Sequence, residues 1–204
     1  MPSSEGLENY CEPSMFLSYL VRNGRAVLYP VYKGTFERGS PVLLALNQTP
    51  ERWGSCAFTE WVIQLVKDLR RSIDYLEARP DLDSDRLACY RMSCGGNLGA
   101  VIPAVEERFA ASVLVAGCLL GIGRPEAGDL NYVTRVRAPT LMLNGKYDVF
   151  YPPETSSQPM FDLLGTPAED KRIIFYETDH IPPRTEYIRE TLAWLDKYLG
   201  PVER

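Results

Sequence analysis

The sequence predicts an α/β protein with a mostly parallel sheet and helices on both faces, and three observations predict it. Short apolar runs suited to buried strands recur along the chain, and Ala111 to Gly117 is continuous, with no alternation of apolar and polar residues, as a strand covered on both faces requires. Segments of helical period lie between them, so the order is strand, helix, strand, which means right-handed crossovers and parallel pairing. Three of the strands then run into short polar stretches at their carboxyl ends, where open α/β sheets bind their ligands.

In chain order, Met1 to Pro13 is a polar segment with no apolar run, so it reads as neither a signal peptide nor an anchor, and residues 14–204 read as one domain. Ser14 to Arg22 carries Phe16, Leu17, Leu20 and Val21 at helical spacing and stops at Asn23-Gly24. Ala26 to Tyr32 is expected to be a strand, with Pro30 near its end, and Thr35 to Phe58 a loop. Thr59 can cap a long amphipathic helix to about Ala78, with Val62, Leu65, Val66, Leu69, Ile73 and Leu76 on one face.

Arg79-Pro80 ends that helix, and an acidic turn leads into the strand Leu87 to Met92. Gly96 to Val105 is apolar nearly all round and predicts a buried helix, bent or ended near Pro103. After the strand at Ala111, Leu119 to Pro139 is a glycine-rich loop with a short helix expected over Asp129 to Val136. Thr140 to Leu143 is the next strand, Glu154 to Leu164 a helix, and Arg172 to Tyr176 the last strand. A closing helix from Arg184 to Leu199 places Ile188, Leu192, Leu195 and Leu199 on one face, with Gly200 as its C-cap.

Composition narrows the function. The 204 residues are 45% hydrophobic and 24% charged, with a net charge of -5 and no basic run interleaved with aromatics, which argues against nucleic acid as a partner. No stretch has the length of apolar sequence that a membrane span needs. The five cysteines, Cys11, Cys56, Cys89, Cys94 and Cys118, form no C-x-x-C pair and read as reduced core thiols of a cytoplasmic protein, so no metal site is expected from them. The acidic residues Asp81, Asp83 and Asp85 lack the glycine and the distal glutamate of a calcium loop, and Gly117 to Gly123 lacks a G-x-G-x-x-G pattern.

The chemistry gathers at the strand ends. Arg91-Met92-Ser93-Cys94-Gly95 is a strand-to-helix turn of the nucleophile-elbow kind, with arginine where the G-x-S-x-G pattern has its first glycine. Asp148 follows the strand at Thr140, and His180, the single histidine, follows the strand at Arg172. A serine needs a histidine to take its proton, and the histidine needs a carboxylate to hold its tautomer. Cys94 is the competing nucleophile, which would move the turn by one residue.

Arg86 to Val115, Pro139 to Asp148 and Tyr176 to Trp194 resemble an α/β-hydrolase. In particular they are similar to the dienelactone-hydrolase and prolyl-oligopeptidase-like domains that accompany some bacterial serine/threonine kinases. The resemblance runs from about Ser14 over nearly the whole chain. It implies Ser93 as nucleophile, Asp148 as acid, His180 as base, the Cys94 backbone N–H as an oxyanion donor, and hydrolysis of a small-molecule carboxylic ester without a cofactor. It further implies an open site with no large cap domain, for which Tyr32, Tyr132 and Tyr151 are the expected walls.

Two departures from the family pattern stand out. Arg91 must turn away from the following helix, and the strand that precedes the first helix in relatives is missing, so the domain reads as N-terminally shortened. A homodimer over the sheet edge left open is the corresponding expectation. The rival expectation is a catalytically weak or inactive module that binds a ligand or a protein.

Overall fold

A computed structural model describes residues 11–33, 35–39, 53–93 and 98–202. The chain falls into two compact units, one of Met1–Ser84 with Val202–Arg204 and one of Asp85–Pro201.

In the first unit, helix α1 spans Cys11–Arg22, three residues earlier than its periodicity predicts, because Pro13 is tolerated in a first turn whose N–H groups have no intrahelical acceptor. It ends where Asn23 donates its amide and its side-chain Nδ2 to the Tyr19 carbonyl and Gly24 takes φ +79°. The strand expected over Ala26–Tyr32 is not formed; the segment is irregular, and Val27, Leu28 and Tyr29 are exposed. A strand needs a ladder partner, the described residues of this unit contain none, and Pro30 removes one donor. Helix α2 runs Cys56–Glu77, capped by the Ser55 hydroxyl accepting from the Phe58 amide at 3.1 Å; Ser55, and not Thr59, is the N-cap. Val62, Leu65, Leu69 and Ile73 are buried at the expected spacing.

The second unit is built on four parallel strands, β1 (Leu87–Met92), β2 (Phe109–Val115), β3 (Thr140–Gly145) and β4 (Lys171–Tyr176), hydrogen-bonded in that order. Register pairs Leu114 with Met142, and Met142 with Ile173. This row packs with Ala100 of helix α3 (Leu98–Val105), with Val133 and Val136, and with Met160 of helix α4 (Gln158–Leu163). The alternate row, Val113, Val115, Leu141 and Leu143, is also fully buried, on the side where helix α5 (Arg184–Leu199) packs across β1, β2 and β3. The α/β architecture and parallel sheet therefore stand as the sequence predicts.

Three details differ. The helix expected over Asp129–Val136 is two tight turns, Asp129–Asn131 and Val133–Arg135. The helix expected from Glu154 opens as a wide turn, Pro153–Ser157, because Pro159 has no N–H to give to the preceding turn. In α5 the buried face is Tyr187, Thr191, Trp194, Leu195 and Leu199, rotated from the Ile188–Leu192 stripe, since aromatic bulk at Tyr187 and Trp194 takes the core side. Gly200 ends α5 at φ +81°, as expected.

Candidate active site

β1 ends by delivering Ser93 in a left-handed conformation, φ +52°, which costs a non-glycine residue on the order of 1–3 kcal/mol and survives only where its surroundings impose it. Two constraints impose it here. β1 stays paired with β2 up to Met92 opposite Val115, and α3 must then lie close against β2. Gly99 permits that approach, because a Cβ there would sit 2.6 Å from Leu114 Cδ2.

Arg91 shares its face with Leu114, the side on which α3 packs. Its guanidinium reaches the Cys89 thiol, two residues back on the same face, so the long side chain turns away from the elbow along the strand. Burial raises the Cys89 thiol above its ordinary value, and Arg91 partly offsets that.

β3 and β4 supply the other two groups. Ser93 Oγ lies 2.6 Å from His180 Nε2, and His180 Nδ1 lies 2.8 Å from Asp148 Oδ2. The Asp148 carboxylate is fully buried, whereas the His180 side chain keeps 20% of its surface. The second carboxylate oxygen, Oδ1, accepts the backbone N–H groups of Phe150 and Tyr151 at 2.9 and 3.0 Å, which fixes the carboxylate plane. With a buried acceptor at Nδ1, the imidazole carries its proton there and presents Nε2 as the acceptor toward the serine.

The loops carrying Asp148 and His180 are laced together. Lys146 N donates to Tyr176 O and Tyr147 N to Thr178 O, at 2.8 and 2.9 Å. Outside these, the Glu177 carboxylate accepts from Lys146 Nζ at 2.7 Å and from the Tyr147 hydroxyl. Those hydrogen bonds hold Glu177 below the usual carboxylate range and raise Lys146 and Tyr147. Gly145 lies underneath, where a Cβ would fall 1.4 Å from the Asp179 carbonyl oxygen.

Of the three tyrosines expected as walls, Tyr151 lies beside His180, its ring edge-on with centroids 5.3 Å apart. Tyr132 is engaged elsewhere, donating to Glu126 O at 2.8 Å beneath the Arg135 guanidinium. Tyr32 belongs to the other unit, where its carbonyl accepts from Thr35. The expected oxyanion donor Cys94 lies outside the described residues, as do the flanking glycines. Phe150, also edge-on to His180 at 5.2 Å, and Gly145 were missed, although Val149-Phe150-Tyr151 directly after a polar turn was a legible signal. Among the described residues no group of three or more His, Cys, Asp or Glu could hold a metal ion. No described helix is long and apolar enough to cross a membrane.

This sheet, with a serine, a carboxylate and an imidazole beyond the ends of β1, β3 and β4, is an α/β-hydrolase fold, and the comparisons agree. The alpha/beta hydrolase domain-containing protein WAV2 of Arabidopsis thaliana is 28% identical over 118 residues, 44% of this chain and 38% of that protein. A provisionally assigned dienelactone hydrolase from Klebsiella pneumoniae superposes with a TM-score of 0.58 at 23% identity, covering 67% of this chain and 62% of that one. A cold-adapted esterase from an Arctic intertidal metagenomic library gives a TM-score of 0.58 at 23% identity, covering 74% and 64%. The chain thus spans less than two-thirds of each of these relatives. No protein-family model matches it.

Proposed function

We propose that the protein is a serine hydrolase that cleaves carboxylic esters through an acyl-enzyme. The observation that carries this is the unbroken chain from Ser93 Oγ through His180 to the buried Asp148 carboxylate. In the first half-reaction the Ser93 hydroxyl gives its proton to His180 Nε2 as Oγ bonds the ester carbonyl carbon. The C–O bond to the alcohol then breaks, and the departing oxygen takes the proton from Nε2. Water repeats the sequence in reverse, with His180 as base, and the carboxylic acid leaves. Asp148 stabilises the imidazolium in both halves. The solved neighbours named as an esterase and a dienelactone hydrolase support the same class of chemistry.

A fluorophosphonate probe read by intact mass tests the assignment. One adduct on the folded protein, absent from Ser93→Ala and retained by Cys94→Ala, is the expected result. Labelling that follows Cys94 instead would move the nucleophile by one residue, and no labelling of folded protein would leave a non-catalytic binding module. His180→Ala should lower turnover of a nitrophenyl ester by about 10³-fold or more without loss of the folded state.

A further inference from the structure

We infer that Val149 and Phe150 form an apolar shelf for the alcohol portion of the ester, so that the enzyme selects substrates whose leaving group is an alkyl or aromatic alcohol. This rests on the hydrolase assignment above and adds the substrate class to it.

The first ground is exposure. Val149 and Phe150 are 79% and 70% exposed, the two most exposed large apolar side chains among the described residues. Single exposed apolar residues need no explanation, but two adjacent ones beside a reactive constellation form a contact surface. The second ground is fixation. The amides of Phe150 and Tyr151 are held by Asp148 Oδ1, so the shelf is tied to the acid that orients the base. The third is proximity. Phe150 packs edge-on against His180 with ring centroids 5.2 Å apart, and the alcohol oxygen that takes the proton from Nε2 must come to that same imidazole, which brings the alcohol portion of the ester nearest to Phe150. The acyl chain is attached on the other side of the carbonyl carbon.

The experiment measures kcat/KM for ethyl acetate, hexyl acetate and ethyl hexanoate in wild type, Val149→Ser and Phe150→Ser. The hexyl-to-ethyl acetate ratio should fall about tenfold in each variant, the factor expected for withdrawing roughly 50 Å² of apolar contact. The ethyl hexanoate-to-ethyl acetate ratio should stay constant. A loss confined to the hexanoate ratio would overturn the assignment of the shelf to the alcohol, and unchanged ratios would overturn the shelf.

If wild type turns over none of these esters, the hydrolase assignment fails separately, and the shelf is then judged by NMR titration of Ser93→Ala with hexan-1-ol. Shifts at residues 148–151 that weaken about tenfold on adding Val149→Ser support it; shifts absent there refute it. Sedimentation of wild type, but not of Val149→Ser, with phosphatidylcholine vesicles, together with unchanged ester ratios, would make this a membrane contact and refute the substrate role.

Discussion

Gly145→Ala is the substitution whose effect follows most directly from the coordinates. The added methyl would lie 1.4 Å from the Asp179 carbonyl oxygen, 2.6 Å from its carbonyl carbon and 2.8 Å from the Thr178 oxygen. All three are main-chain atoms, so no side chain can swing aside. Real Cβ atoms essentially never come within 3.0 Å of such atoms, so the segment before His180 must retreat by about 1.6 Å from the end of β3. A displacement of that size passed to His180 would open the 2.6 Å approach of Ser93 Oγ to Nε2 beyond hydrogen-bond reach.

Misplacement of a catalytic group by about 1 Å can cost on the order of 10²-fold, and overpacking a fitted site costs typically 1–3 kcal/mol of stability. Gly145→Ala should therefore lower kcat on a nitrophenyl ester about 100-fold or more while the protein still folds by circular dichroism. Gly54→Ala is the matched control, because a Cβ there meets nothing within 4 Å. Wild-type kcat in folded Gly145→Ala would refute the claim that this glycine positions the base.

Asp148→Asn, which can still accept the Phe150 and Tyr151 amides, should cut kcat on the order of 10³–10⁴-fold while thermal stability changes little, as read by paired rate and melting measurements. Thr191→Val removes a buried hydroxyl of α5 that finds no hydrogen-bond partner among the described residues, so a urea melt should show it neutral or stabilising by up to about 1 kcal/mol. Burial lifts the Asp129 carboxyl above its ordinary value, although the Leu120, Gly121 and Leu130 amides pull the other way. Its contribution to stability is fully present below the unfolded pKa and is lost as pH rises through the folded one. Urea midpoints of wild type relative to Asp129→Asn should accordingly decline from acid to neutral pH. Iodoacetamide at neutral pH should modify exposed Cys56 well before buried Cys89, whose thiol burial holds protonated, as peptide mapping would show.

The sheet of the second unit was legible because its two central strands, β2 and β3, are apolar and buried on both faces, which leaves Ala111–Gly117 few alternatives to a buried strand. The hydrogen-bonded group of Ser93, His180 and Asp148 was legible for a related reason: each stands where a recognisable strand runs into a polar turn. The Ala26–Tyr32 segment failed because β-branched and aromatic content reports fitness for a pleated surface, and only a neighbouring ladder makes a strand. The face of α5 was misread because two faces of that helix are apolar, and the choice between Ile188 and Tyr187 belongs to the surface it packs on. Gly145 was invisible for the opposite reason. Its φ is unremarkable, and its necessity comes from Asp179, 34 positions further along the chain, a closeness no local pattern encodes.

Asp148 and His180 stand at the ends of adjacent strands, joined to one another by side-chain and backbone hydrogen bonds that do not involve β1. Ser93 stands two strands away from Asp148 and meets that pair through its hydrogen bond to His180 Nε2. The Asp148–His180 pair is thus assembled independently of Ser93. A chain that lost its serine would keep an oriented imidazole, able to draw a proton from a water molecule in place of the hydroxyl. Slow hydrolysis by Ser93→Ala, abolished by a second change at His180, would be the trace of that independence.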